Sequence, residues 1–429
     1  MHSPTSQSDL TMATAMASVA LILILGAVLG GAVRRFRQPA VIGEIAAGIA
    51  LGPSLLGQLP GNLTEKLFPA EARPMLGAIA QVGLLLFMFM VGWEFDKGLL
   101  RRRRTAAVAV SLSSVVLSFG LGVCLALVIH ERHASVGGRT VSDVSLALFL
   151  GAAMSITAFP VLARILADNK LMRTPVGALA LAGAAIDDVL AWCILAVVSA
   201  TVTASGGADL LQIAGLSALY VLVMFLLVRP VLATFVPWLT RRGPGCLLVL
   251  SAGGALLSAY ATTWIGIHAI FGAFLFGLVM PREPAEALRT HVRGPLETVS
   301  TVLMPTFFIV TGLGVDIAGL SAANYLELAA IIAVACAGKM LGAGAAARAV
   351  GMAWPQAGTL ALLMNTRGLT ELIILNVGVG LGILDTSLFT MMVIMALVTT
   401  AMAGPLLPRN DTVWQTELGE RPRTQLTTP

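Results

Sequence analysis

Charged residues are scarce in this chain: 11% of its 429 positions are Asp, Glu, Lys or Arg, against 57% that are hydrophobic. A soluble globular protein carries about a quarter charged residues, so the composition excludes a soluble domain of useful size and describes a protein dissolved in lipid. Cysteine is nearly absent. Cys124, Cys193, Cys246 and Cys336 fall inside apolar runs with no paired spacing, which argues against disulfide or metal roles and predicts small buried side chains. Histidine is rare as well. His268 stands alone in its apolar stretch without metal-ligand spacing, so helix packing or an interfacial place is expected of it rather than a proton relay. Met1 to Thr11 holds no basic residue and no cleavage-site pattern, so no removable leader is expected. The net charge of +5 does not point to nucleic acid, because basic residues in an apolar chain first report topology.

What the chain has in abundance is small and apolar. Glycine reaches 44 residues while aromatics stay at 6%, a balance that suits membrane helices packed closely through small side chains. Runs long enough to cross a bilayer, about 20 residues each, recur throughout. They fall roughly at 12–33, 39–59, 74–93, 105–129, 144–166, 174–204, 209–239, 245–264, 266–281, 295–315, 324–349, 356–378 and 386–408. The second and ninth are short and Gly-rich, and the eighth and ninth divide at Gly266. Lys and Arg in alternate connections give the orientation. One set, which includes Arg34, Arg35, Arg37, Lys97, Arg101 to Arg104, Arg164, Lys170, Arg173 and Arg409, carries 21; the other holds only the four residues Lys66, Arg73, Arg132 and Arg139. An excess of that size puts the N-terminus outside and the C-terminus in the cytoplasm, which requires an odd number of spans.

The expected fold is therefore an all-α polytopic membrane protein of about 13 transmembrane helices. They divide into two inverted six-helix repeats, segments 1–6 and 8–13, an architecture common among secondary transporters. Residues 1–408 read as one membrane transport domain and 409–429 as a short polar cytoplasmic tail, too short for a nucleotide-binding regulatory domain.

Polar groups that persist in hydrocarbon mark the functional candidates. The sixth segment carries Asp187 and Asp188 side by side near its middle. Each Asp at a helix centre costs about 2.5–3.5 kcal/mol on insertion scales, so the pair is a functional candidate by default. An intramembrane aspartic protease is a poor fit, because its two carboxyls must share one proton and neighbours on a helix point about 100° apart. The fifth segment holds Ser155, Thr157 and Pro160. Pro160 opens the helix, and freed carbonyls with the two hydroxyls supply hard oxygen ligands where a broken helix lines a cavity. The twelfth segment runs Asn365-Thr366-Arg367-Gly368 and on to Thr370 and Glu371. It is the fifth of its half, as the other broken segment is of the first half, and matching breaks point to a transport site. Arg367 and Glu371, one helical turn apart, are expected to pair and to neutralise half-helix dipoles. Lys339, a lone cation in the eleventh segment, needs a carboxylate partner, for which Asp187 or Asp188 is the obvious choice.

These motifs resemble the monovalent cation:proton antiporter-2 family, within the sodium/proton exchanger superfamily, over nearly all of residues 12–408. The resemblance rests on Gly43-Glu44 through Gly48, Gly52-Pro53 and Gly57, and on Leu86-Phe87 to Gly92-Trp93-Glu94 with Asp96. It continues through Ser155 to Arg164, the Asp187-Asp188 pair, Gly266 to Pro281, Pro305-Thr306-Phe307-Phe308 and Asn365 to Asn376. It implies a homodimer with the sodium/proton antiporter fold, whose moving core carries segments 5, 6, 11 and 12 with crossed broken helices. It also implies Asp188 as the ion-binding carboxylate, and Asp187 as the partner alternating between Lys339 and the transported ion. Thr157 and the backbone near Ser155 would complete the shell around the transported monovalent cation. Members with two acidic residues here resemble electrogenic exchangers. The potassium-efflux members' nucleotide-binding domain and the plant members' long tail have no counterpart here, so ligand gating is not carried over.

The expected function is thus a secondary antiporter exchanging Na⁺, or alternatively K⁺, for protons by alternating access, and not an enzyme. No cofactor and no nucleic acid are expected, and a bacterial cytoplasmic membrane is the expected location. A cation channel or uncoupled carrier is the rival, but a channel needs a filter-like ring of carbonyls or charges, and no such loop is present.

Overall fold

The computed structural model describes residues 7–35, 38–94, 104–169, 171–172, 174–204, 206–243 and 245–407. The 409–429 tail, and Arg37, Lys97, Arg101 to Arg103, Lys170 and Arg173 of the charge count, lie outside the described residues. Among the described residues the chain is nearly all helix; the exception is a short antiparallel pair, Ser135–Val136 with Arg139–Thr140.

The principal helices are α1 (Gln7–Arg34), α2 (Ala40–Leu51), α3 (Arg73–Glu94), α4 (Arg104–His133), α5 (Asp143–Met154), α6 (Phe159–Asp168), α7 (Pro175–Thr203) and α8 (Gly207–Val223). They continue with α9 (Arg229–Arg242), α10 (Cys246–Ile265), α11 (Ala269–Val279), α12 (Gly294–Leu313), α13 (Ala322–Ala349), α14 (Trp354–Met364), α15 (Leu369–Gly380) and α16 (Thr386–Leu406). Twelve stretches among the described residues are long and apolar enough to cross a membrane, and the ninth segment, α11, is a shorter apolar helix. Each segment expected from sequence has its helix. The divide at Gly266 holds: this glycine ends α10 at φ +105°, a backbone that L side chains rarely adopt.

Both halves contain the same irregularities in the same order. Their second members, α2 and α11, are short, and their fifth members are split into α5 with α6 and α14 with α15. One crossing helix separates the two sets, so the second set starts on the opposite face, which makes the repeat inverted.

The split helices end for local reasons. The Ser142 side chain caps α5 by accepting from the Ser145 N–H at 3.1 Å, and the helix stops at Ser155. Pro160 lies in the first turn of α6, where a missing N–H leaves nothing unpaired. The open stretch is therefore Ser155–Ala158, just upstream of the proline. α13 packs along α4 at backbone distance. A Cβ at Gly338 would stand 2.7 Å from Ser118 Cα, and one at Gly342 would stand 2.7 Å from Ser114 Cα. This glycine pair, four residues apart, is the small-residue spacing that lets membrane helices touch, and Lys339 sits inside it. At the far end of the same bundle the buried His133 ring meets Asp385 Oδ2 at 2.6 Å, and Arg132 meets Glu327 at 2.6 Å, tying α4 to α16 and α13.

The cysteine expectation is corrected. Cys124, Cys193 and Cys246 are exposed on the surface of the chain and Cys336 is partly so; all four are free. In a bilayer an apolar run faces lipid as readily as protein, so hydrophobic context does not report burial within the fold.

Candidate functional site

The site lies where the two breaks cross. The Ala158 N–H donates to Thr366 O at 3.1 Å, joining the break of one split helix to that of the other. A Cβ at Gly368 would stand 2.6 Å from Val161 Cγ2, so the residue type at this crossing is set by space. The Thr400 hydroxyl of α16 accepts from the Arg367 N–H at 3.2 Å, pairing backbone that the break leaves open, and its one proton is shared between Arg367 O and Ala396 O, each 2.6 Å away.

Arg367 is fully buried. Its guanidinium donates to Ala153 O at 2.8 Å and Met154 O at 2.6 Å, the last carbonyls of α5, and to Glu371 Oε2 at 2.9 Å. A cation there offsets the negative end of a half-helix that terminates in the membrane interior. Buried orphans remain beside it: Arg367 Nε, Glu371 Oε1 and Asn365 Oδ1 have no partner among the described residues, while Asn365 Nδ2 reaches Cys336 Sγ at 3.5 Å.

Asp187 and Asp188 leave α7 in different directions, as neighbours on a helix must. Asp187 is wholly enclosed. Lys339 Nζ lies 2.7 Å from its Oδ2, Thr157 Oγ1 also lies 2.7 Å from Oδ2, and the Ser111 hydroxyl of α4 donates to Oδ1 at 2.5 Å. Thr157 has one hydroxyl proton for two acceptors, since Met364 O is only 2.8 Å away. Asp188 is less tied. The Thr370 hydroxyl is 3.3 Å from its Oδ1, and the N–H of Phe159, at the start of α6, donates to it. Asp188 also lines a cavity of about 360 Å³ with Glu94, Phe159, Phe274, Arg293 and Glu297. A neighbouring cavity of about 520 Å³ shares Phe87, Met90, Pro160 and Glu297 with it and extends to Gln38 and Arg164.

Of the residues singled out in the sequence, the structure brings together Asp187, Asp188, Thr157, Lys339 and the two breaks. Ser155 stands apart, its hydroxyl donating to Ala152 O at 2.8 Å within its own turn. His268 caps α11, its Nδ1 accepting from the Ile270 N–H at 3.4 Å. Sequence reasoning missed Ser111 and left α4 out of the core. The available signal was the run of hydroxyls Ser111, Ser113 and Ser114 in an otherwise apolar segment. Thr370 lies within the Asn365 to Asn376 motif, where no local pattern marks its hydroxyl as a partner of Asp188.

The sodium/hydrogen exchanger transmembrane family matches residues 20–409. The chain is 41% identical to the Na⁺/H⁺ antiporter NhaS4 of Synechocystis sp., covering 92% of this chain and 97% of that relative. It is 38% identical to cation/H⁺ antiporter 15 of Arabidopsis thaliana over 87% of this chain, and spans about half that relative's length, 45%. Its fold is similar to that of the sodium proton antiporter MjNhaP1 from Methanocaldococcus jannaschii, with a TM-score of 0.65 at 16% identity, covering 96% of this chain and 100% of that one. A family match across nearly the whole membrane domain, with a relative of the same extent, establishes that this chain belongs to the sodium/hydrogen exchanger family.

Proposed function

We propose that this multi-pass membrane protein is a secondary antiporter that exchanges a monovalent cation for protons electrogenically, by alternating access at Asp187 and Asp188. Na⁺ is favoured and K⁺ is the other candidate. The observation that carries the reading is the division between the two carboxylates: Asp188 faces a cavity while Asp187 is paired with Lys339.

That division supports a competition mechanism. A dehydrated cation needs several hard oxygens, which here come from Asp188, Asp187 Oδ2, Thr157 Oγ1 and carbonyls of the break around Ser155. A proton on Asp188 and the ammonium of Lys339 contend for the same oxygens. A cation that takes Asp187 from Lys339 leaves a buried lysine without its counter-ion, which favours loss of its proton. The cation-loaded site then lacks two protons, one from Asp188 and one from Lys339, so each cycle moves net charge. Arg367, Glu371, Asn365, Gly368 and Pro160 hold the broken helices open and balance their dipoles.

The cavity beside Asp188 is lined by Glu94, Arg293 and Glu297, near the connections rich in Lys and Arg. The positive-inside rule makes that side cytoplasmic, so this conformation faces inward, with the N-terminus outside. A homodimer in a bacterial cytoplasmic membrane completes the proposal. The outer face that runs from α8 through the joining turn into α9, where Leu211, Leu219, Leu226 and Trp238 are exposed, is apolar and open to lipid or to a second copy of the chain.

The test is proton flux into proteoliposomes. Asp188→Asn is expected to abolish cation-evoked proton movement in folded protein, and retained flux would remove Asp188 from the mechanism. Asp187→Asn is expected to keep some exchange with less charge moved per cation; a variant that loses melting temperature but keeps its stoichiometry would reduce Asp187 to a structural residue.

A further inference from the structure

We infer that Ser111 is a positioning residue for exchange: its hydroxyl fixes Asp187 Oδ1, so that only Oδ2 passes between Lys339 and the cation. The inference rests on the proposed role of Asp187.

Many hydroxyls buried in this protein bond back to their own helix or its last turn. Thr399 donates to Met395 O, Thr311 to Phe307 O, Thr366 to Leu363 O and Ser155 to Ala152 O. That is the ordinary local solution for Ser and Thr inside an apolar helix. Ser111 departs from it. Fully buried in α4, it donates across to Asp187 on α7. Its carbonyl is engaged separately, accepting from the Ser114 hydroxyl at 3.0 Å.

The three donors on Asp187 differ in how easily they leave. Lys339 is a long side chain that can withdraw, and Thr157 can turn its one proton to Met364 O. Ser111 has a one-carbon side chain on a continuous helix, and that helix is held against α13 by the Gly338 and Gly342 contacts. It stays when the others change. An ionised carboxylate has about four acceptor sites, and anchoring one oxygen fixes the plane of the other. Without Ser111 the carboxylate can turn and offer both oxygens to Lys339, and one of its three donors is lost. The cation then competes less well against the ammonium and against protons.

The experiment uses the full chain in proteoliposomes, with Na⁺ and K⁺ as probes and melting temperature as the folding control. Ser111→Ala is expected to raise the cation KM roughly tenfold, the scale of one lost hydrogen bond to a charged group, with a smaller change in kcat. Its activity profile should shift to higher pH. Ser111→Thr, which keeps the hydroxyl, should restore both, and Ser111→Cys, a weaker donor of similar size, should fall between. In an Asp187→Asn background, Ser111→Ala should add nothing further, since coupled residues are not additive. A wild-type KM and pH profile in folded Ser111→Ala, or Ser111→Cys if the alanine variant does not fold, would overturn the inference alone. So would an undiminished Ser111→Ala effect in the Asp187→Asn background. Wild-type KM and charge movement in Asp187→Asn itself would overturn the reading on which it rests.

Discussion

Two adjacent carboxylates on one helix acquire different surroundings because the backbone turns about 100° between them. In this chain that rotation sends Asp187 into a ring of three donors and leaves Asp188 at a cavity wall. Both were visible in the sequence, as was Lys339, because charge in hydrocarbon is costly enough to stand out against an apolar background. Ser111 was not, because a serine inside a membrane helix is ordinary and its partner is 76 residues away. Asp385 makes a residue-scale prediction outside the proposed transport site. Burial alone would raise its carboxyl, but hydrogen bonds from the His133 ring and the Leu388 N–H outweigh this and hold it below the ordinary value. A group whose folded pKa is depressed contributes stability above its unfolded pKa, about 3.9, and loses it as pH falls through the lower folded value. The melting temperature of purified protein should therefore drop as pH is lowered through that acid range. Asp385→Asn should melt lower at neutral pH and show a flatter acid decline; an unchanged curve would mean the contact contributes nothing.

Helices that stop halfway across the membrane leave backbone groups unpaired in hydrocarbon, where each costs several kcal/mol. The two split helices resolve this in different ways. Arg367 covers the last carbonyls of α5, Thr400 serves both backbone groups of Arg367, and Ala158 and Thr366 pair across the crossing. The existence of both breaks was legible from Pro160 and from the Asn365 to Gly368 run. The side chains that close them were not, because Thr400 comes from another helix and no local pattern announces the meeting. Helix contacts follow the same logic. α13 and α4 approach through Gly338 and Gly342, which delivers Lys339 to Asp187. Gly342→Leu should push the two helices apart, lowering stability by about 1–3 kcal/mol and reducing cation affinity together. Wild-type melting and affinity in this variant would show that the spacing does not set the Lys339 position.

At the scale of the molecule, the order of long, short and split helices repeats once, and the family match spans almost all of it. Hydropathy located every segment, including the eleven-residue α11, since spans are long and glycine marks their ends. Which segments face lipid was less legible. Few residues of α8 and α9 are buried while most of those in α14 and α15 are, yet both read as apolar runs. The proposed orientation predicts that a cysteine replacing Arg139 in a cysteine-free background reacts with an impermeant maleimide added to intact cells. One replacing Arg289 should react only after permeabilisation, and the reverse pattern would invert the assignment of the cavity to the cytoplasmic side. The central claim is coupling between cation and proton, and it is tested most directly by an internal pH dye in proteoliposomes given Na⁺, K⁺ or Li⁺ with and without a membrane potential. The account predicts cation-evoked proton movement that responds to the potential; cation leak without proton movement would contradict it.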